Sequence, residues 1–496
     1  MGLGRDIAIS ITLAASPLAA HAAPVVRQVT LQPGQRILAT GERLDFDAGT
    51  LLVPAHHGRA GGHPIAIAFE RYRARHPSHA APIFLLAGGP GDSALDRLSI
   101  QRGQEDLSFL TEFADVVVFD QRGAGHSMPR MTCPDTVALP LDLPSSAAAR
   151  VAAMRRIATV CRAYWIARGV DLSAYTTPES GDDVDALRRA LGYGRIALFG
   201  GSYGSHLGMS LMRRHPEMID RVVLRGIEGP DDTYDMPSGT LGALKRVAAD
   251  AEAAPELAGA IPPGGLIAAL EAAEQRLDHA PARVAVDGKT IVLGGDDVRL
   301  AVKYGARRDG RWPAFVIEMY RGDYRRLAEL ALAARTVRIE NPMYYMMDCA
   351  SGLTAARRSA ILADPAQRIL GDINEEYFAT CDIWRSPDLG ATFRSPLRSN
   401  IPTLMFQGTW DVSTPLENAD QAAATLSNVT YARVAGGTHP VIDDLFQSWA
   451  PMRDTMRRFL EGGRPAVPAR IALPRVIFEQ PRDTDARRRA TGGDTK

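Results

Sequence analysis

Five residues, Gly200-Gly201-Ser202-Tyr203-Gly204, constrain this chain more than any other stretch. They sit where an apolar run, Arg195-Ile196-Ala197-Leu198-Phe199, gives way to Ser205-His206-Leu207-Gly208-Met209-Ser210-Leu211-Met212, whose apolar residues recur at helical spacing. A brief apolar run without alternation is the pattern of a strand buried on both faces. The serine therefore falls in a tight strand-to-helix turn, where glycine is needed on either side because neighbouring segments pass too close for a β-carbon. Such a turn lifts the Ser202 hydroxyl above the sheet, within reach of a base.

A nucleophilic serine of this kind needs an acid and then a histidine later in the chain, each at a strand end. Thr403-Leu404-Met405-Phe406-Gln407 reads as a strand and runs into Gly408-Thr409-Trp410-Asp411. One helix and one strand later comes Ala435-Gly436-Gly437-Thr438-His439, and His439 is the only histidine after His279. Ser202, Asp411 and His439 thus form the predicted catalytic set, in which the serine attacks, the histidine moves the proton and the aspartate fixes the histidine tautomer. Acyl transfer also needs amides facing the developing oxyanion. The strand Ala81-Pro82-Ile83-Phe84-Leu85-Leu86 runs into Ala87-Gly88-Gly89-Pro90-Gly91, so the two donors are assigned to Gly89 and Tyr203. A Gly-Pro pair at a strand end also admits a cis Gly89-Pro90 bond.

Other signals place the rest. Residues from Val25 to Phe69 alternate weakly and read as an antiparallel start, with Leu51-Val53 and Ile65-Phe69 the best strands. Asp115 to Phe119 is another buried strand, ending in Asp120-Gln121-Arg122-Gly123-Ala124-Gly125-His126. That turn lacks the spacing of a phosphate cradle, so Asp120 and Arg122 are read as loop anchors. His126 is read as structural, because it precedes the serine. Strand and helix alternate through Leu224, which predicts a mostly parallel sheet flanked by helices. From Gly229 to Phe393 the alternation stops and helical segments dominate, with one hairpin at Val284 to Val292. A mainly helical insertion between sheet strands is expected to be a lid. The expected divisions are a first core part over 23–228, a lid over 229–393, a second core part over 394–465, and a partly disordered tail over 466–496.

Lys and Arg together number 57, as do Asp and Glu, and no long basic run stands out, which argues against a nucleic-acid partner. Arg5 ahead of Ile7 to Ala15, then Ala20-His21-Ala22, predicts a secretory signal over 1–22. No other stretch is apolar enough to span a bilayer, so an exported protein without stable membrane insertion is expected, either periplasmic or secreted. Four cysteines suit that address as disulfides. Three pairings exist, and Cys133 with Cys161 and Cys349 with Cys381 are expected because each would staple one local segment. No metal-ligand spacing accompanies them, and neither a metal nor a cofactor is expected.

With these residues placed, the chain resembles the α/β-hydrolase superfamily. Within it, the chain is similar to serine aminopeptidases of the prolyl iminopeptidase and tripeptidyl aminopeptidase type. The matching pieces are Gly88 to Gly91, Asp120 to Gly123, Gly200 to Gly204, Leu224-Arg225-Gly226-Ile227, Gly408 to Asp411 with Thr414-Pro415, and Gly437 with His439. Prolyl iminopeptidases usually carry histidine before the Gly-Gly-Pro-Gly. Ala87 stands there in this chain, which leans toward the exported tripeptidyl-type relatives, as does the cysteine placement. The resemblance implies an exported peptidase acting on free amino termini, and such an enzyme needs a carboxylate to grip the substrate ammonium. Glu228 is the first candidate, with Glu375 and Glu376 in reserve. A carboxylesterase using the same three residues, taking a small ester, is the alternative. A binding protein is disfavoured because the catalytic set is complete, and an epoxide hydrolase or dehalogenase because those carry aspartate where Ser202 stands. Oligomeric state is not legible in the sequence.

Overall fold

The computed structural model describes residues 29–59, 62–302 and 310–482. The predicted signal segment and the stretch from Asp483 to Lys496 lie outside the described residues. Ten strands form one sheet: β1 (Val29–Ile37), β2 (Arg43–Val53), β3 (Ile65–Tyr72), β4 (Ile83–Leu86), β5 (Val116–Phe119), β6 (Ile196–Ser202), β7 (Ile219–Ile227), β8 (Thr403–Gly408), β9 (Val429–Ala435) and β10 (Arg470–Ala472). Their order across the sheet is β1-β2-β3-β5-β4-β6-β7-β8-β9-β10. The β1, β2, β3 and β5 neighbours pair antiparallel, and every pair from β5/β4 to β9/β10 is parallel. β5 and β8 are buried along their whole length, as expected for parallel strands covered on both faces.

After β5 the chain crosses back over β4 to lay down β6 on its other side. The carboxyl ends of β4 and β6 therefore border a topological switch point, the crevice where open α/β sheets place their chemistry. Successive residues face opposite layers. Leu198 and Leu224 join one buried cluster with Tyr203 and Leu207. Ala197 and Val223 join another with Leu107, Leu110 and Phe459.

The inserted region is helical with one hairpin, Ala282–Val286 with Lys289–Leu293, turned by Asp287 and Gly288 at φ 48° and 71°. Paired positive φ values match the right-handed twist of a two-residue hairpin. Helices Pro237–Glu252, Gly265–His279, Trp312–Tyr320 and Arg325–Ala334 share their own core around Leu244, Leu270, Trp312 and Phe315. Helices Pro342–Ser351 and Glu375–Trp384 instead bury Met343, Met347, Tyr377 and Trp384 in the same cluster as Tyr203. This second half of the insertion is the part that packs on the nucleophile helix.

Cys133 is bonded to Cys161, and Cys349 to Cys381. Closing loops of 28 and 32 residues is worth roughly 3–4 kcal/mol each by loop entropy. The second bond ties helix Pro342–Ser351 to helix Glu375–Trp384. Past Glu461, where composition suggested a loose tail, β10 joins the sheet edge and Phe478 buries itself against Trp410. Among the described residues no helix is long and apolar enough to cross a membrane.

Candidate active site

Ser202 ends β6 at φ 57° and ψ −135°, a sparsely populated positive-φ conformation that a non-glycine residue holds at a cost of about 1–3 kcal/mol. The helix Tyr203–Arg214 begins at the next residue. A β-carbon on Gly200 would overlap the carbonyl of Gly204, and one on Gly204 would overlap the carbonyl of Leu86. Both glycines are thus dictated by close backbone approach, one within the turn and one against β4. A β-carbon on Gly88 would stand 3.2 Å from that of Ser202, so the loop after β4 lies directly beside the nucleophile. In that loop Gly89 holds φ 106° and the Gly89-Pro90 bond is cis. Tyr203 supplies the first amide of its helix, one of the four that have no acceptor within the helix.

Asp411 follows β8 and is fully buried. Its Oδ1 accepts from the amides of Ser413 and Thr414, both at 2.9 Å. Its Oδ2 accepts from Gln407 Nε2 at 3.0 Å and Thr414 Oγ1 at 2.8 Å. His439 Nδ1 lies 3.1 Å and 2.9 Å from the two oxygens. Burial pushes this carboxyl up, but the imidazole and the Thr414 hydrogen bonds outweigh it and hold the group below its ordinary value. Asp411 is therefore a charged acceptor that orients the His439 ring through Nδ1 and leaves Nε2 free of it. The His439 ring packs on Gly226, where a β-carbon would stand 3.0 Å from Cε1. Gly226 precedes Ile227, which pairs with Ser202 in the sheet, so ring and nucleophile sit side by side. Ser202 Oγ has no hydrogen bond among the described residues, in keeping with resting sites whose nucleophile–base contact tightens on substrate binding.

On the other flank of Ser202 is a set of buried carboxylates. Ser205 Oγ donates to the Ser202 carbonyl at 2.7 Å and accepts from the Glu228 amide at 2.9 Å, which ties Glu228 to the nucleophile turn. Asp348, on helix Pro342–Ser351, accepts from Tyr377 Oη on Oδ2 at 2.9 Å. Its Oδ1 is buried with no hydrogen-bond partner among the described residues. Burial raises the Glu228 carboxyl to about 8, with Asp235 and Asp232 adding to the shift. Burial, then the charge of Glu228, pushes Asp348 well above the ordinary carboxylate range. Tyr344, Tyr345, Tyr377 and Tyr234 form a cluster through mutual ring contacts, joined to Asp348 by the Tyr377 hydroxyl. Glu228 Oε1 lies 3.8 Å from His206 Nδ1, but burial lowers that imidazole to about 4, and Arg357, which also bears on Glu228, is paired with Asp232. Two buried acids that raise one another and have no Lys or Arg partner among the described residues suit a positive charge.

A family model described as the alpha/beta hydrolase fold matches residues 81–444 of the chain. The chain belongs to the α/β-hydrolase fold family. Over 149 residues this hydrolase is 30% identical to a proline iminopeptidase of Xylella fastidiosa, covering 30% of this chain and 33% of that protein. It is 28% identical over 193 residues to a tripeptidyl aminopeptidase of Streptomyces lividans, covering 37% of this chain and 36% of that one. Each match thus spans about a third of the curated relative. Among solved structures, a proline iminopeptidase-related protein of Thermus thermophilus aligns over 83% of this chain and 97% of its own, at 15% identity and a TM-score of 0.35.

The remaining predicted residues of this hydrolase fall in different places. Glu375 is already paired, its two oxygens accepting from Arg150 at 2.7 and 3.0 Å, which leaves it the poorest of the three amine candidates. Glu376, one position on, accepts from Tyr345 Oη at 3.0 Å and adds its charge to the field at Asp348. Arg122 is fully buried and bonds Asp183 and the carbonyls of Ala55 and Ala174, and Asp120 accepts from Ser93, Leu95 and His126. Both fasten loops. The His126 ring meets exposed Asp96 at 2.9 Å, on the surface. Asp348 had escaped sequence reasoning. Its signal is a carboxylate inside the apolar run Met343-Tyr344-Tyr345-Met346-Met347, three and four positions after two tyrosines and therefore on their face of the helix.

Proposed function

We propose that the protein is an exported serine aminopeptidase that cleaves residues or short peptides from free amino termini through an acyl-enzyme on Ser202. The observation that carries this reading is the buried pair Glu228 and Asp348 beside the Ser202 turn, neither of them in an ion pair with Lys or Arg among the described residues. Ser202 Oγ attacks the carbonyl carbon while His439 Nε2 takes its proton, and the amides of Gly89 and Tyr203 receive the oxyanion. As the C–N bond breaks, His439 returns that proton to the leaving amine. Water then adds to the acyl-enzyme with His439 again as base, releasing the acid and restoring Ser202. The two disulfides suit action outside the cytoplasm.

The test compares alanine anilide with its N-acetylated twin. Removing one partner of a buried charge pair costs about 3–5 kcal/mol, so the free amine should be favoured by at least ~10²-fold in kcat/KM. Asp348→Asn should raise KM for the free amine by a comparable factor and leave the acetylated rate unmoved. Equal rates on both anilides, or turnover of a phenyl ester alone, would make this an esterase.

The pH profile supplies an independent check. An acid whose value is raised to about 8 is neutral below that pH and charged above it. Ammonium binding requires the charged form, so KM should fall as pH rises toward 8. It should climb again as the substrate amine, of ordinary value about 7.7–8.0, loses its proton. In Glu228→Gln the Asp348 carboxyl loses the neighbour that raises it and keeps the larger effect of burial, so the rising limb of kcat/KM should move to lower pH, at lower absolute rate. A limb that Glu228→Gln leaves where it was would remove Glu228 from the amine site.

A further inference from the structure

A second charged recess lies across the sheet from the carboxylate pair. It is a cavity of about 360 Å³ bordered by Gly88 and Gly201, the backbone on either side of Ser202, and walled by Leu98, Phe199, Arg97 and Arg225. Phe199 and Leu98 belong to the layer of Ala197 and Val223, whereas Tyr203 and Met347, beside Asp348, belong to the opposite layer. The two recesses therefore flank the nucleophile from opposite faces of the sheet. If the substrate ammonium is held at Glu228 and Asp348, the acyl part fills that side and the leaving amine points to the other. Arg225 donates to the His439 carbonyl at 3.3 Å and its side chain lies over Gly201, so it joins the histidine loop to the turn that holds Ser202.

The charges of this cavity are unequal in what they leave free. Asp96 is held by His126, and Arg97 stands 3.5 Å from both Asp106 and Asp443. Burial and Asp443 push Asp106 up to about 7 against the pull of Arg97 and Arg225, and Asp443, Asp106 and Asp411 in turn bear on the Arg225 charge from beyond ion-pair distance. Burial likewise pushes Asp92, another residue of the wall, upward. Arg225 makes no ion pair within 4 Å among the described residues, and its one hydrogen bond there goes to the His439 carbonyl. A guanidinium with most of its five donors uncommitted, next to the site of amine departure, suits a planar carboxylate.

We infer that this cavity is the leaving-group subsite, and that Arg225 selects leaving groups ending in a free carboxylate, so that short peptides are the preferred substrates. This rests on the aminopeptidase reading and adds what lies beyond the cleaved bond.

The experiment measures kcat/KM for alanyl-alanine and for alanyl-alanine amide, which differ only in that carboxylate. Wild type should favour the free acid by at least ~10-fold. Arg225→Gln should bring the ratio close to one, while Arg225→Lys should keep part of the preference. Taking the ratio within each variant cancels any general loss from disturbing the His439 loop, and the wild-type ratio stands even if Arg225→Gln fails to fold. A wild-type ratio near or below one, or a ratio unchanged in both variants, overturns the inference. If that happens while alanine anilide is still cleaved only with a free amine, the subsite alone is wrong. If the free-amine requirement is itself absent, the aminopeptidase reading is what failed.

Discussion

Replacing Ser202 by alanine is expected to lower kcat on alanine anilide by on the order of 10⁶-fold while leaving the melting temperature almost unchanged. The first half follows from the role of the group: without Oγ no acyl-enzyme forms, and only the oxyanion donors and binding contribute, roughly 10³–10⁴ over water. The second half follows from the site. The strained φ of 57° is imposed by the close passage of Gly200 and Gly204, which alanine at 202 leaves intact. Ser202 Oγ makes no hydrogen bond among the described residues, so its removal orphans no partner. Kinetics and a thermal melt on the same preparation read both halves. A loss below ~10²-fold with an unchanged melt would mean that another group is the nucleophile.

The elements that carry this chemistry were legible in the sequence because each obeys a local rule. The glycines about Ser202 answer to a turn, β5 and β8 to uninterrupted apolar runs, and the hairpin at Asp287-Gly288 to residues that accept positive φ. Features that depend on distant segments were not legible in the same way. Whether Glu228, Glu375 or Glu376 was free to bind an amine turned on Arg150, more than two hundred residues before Glu375, which claims that carboxylate. Asp348 hid in an apolar helix whose burial is set by packing on Tyr203 and by the bond from Cys349 to Cys381. The pairing of β10 with β9 and of Phe478 with Trp410 was not legible because it comes from distant segments and not from the stretch's own pattern.

The second large effect is expected at Asp411. Changing it to asparagine should cost about 10⁴-fold in kcat, by reversing the tautomer of His439. Five donors converge on this carboxylate, and two of them, the amides of Ser413 and Thr414, are fixed backbone groups aimed at Oδ1. The asparagine oxygen must therefore occupy the Oδ1 position, which puts its NH₂ where Oδ2 was. There it faces Gln407 Nε2, the Thr414 hydroxyl and His439 Nδ1. The hydroxyl can rotate to accept, but the imidazole can accept only by moving its proton from Nδ1 to Nε2. Nε2 then carries a proton and cannot take another from Ser202. Substrate affinity should change little, since Glu228 and Asp348 lie on the other flank, so the loss should appear in kcat and not in KM. Gln407 also bonds the Thr414 carbonyl at 2.7 Å and receives the Ile227 amide at 2.9 Å, which keeps the loop in place despite the clash at Nε2. A kcat loss under tenfold, or one expressed mainly as a rise in KM, would show that His439 takes its orientation from some other group.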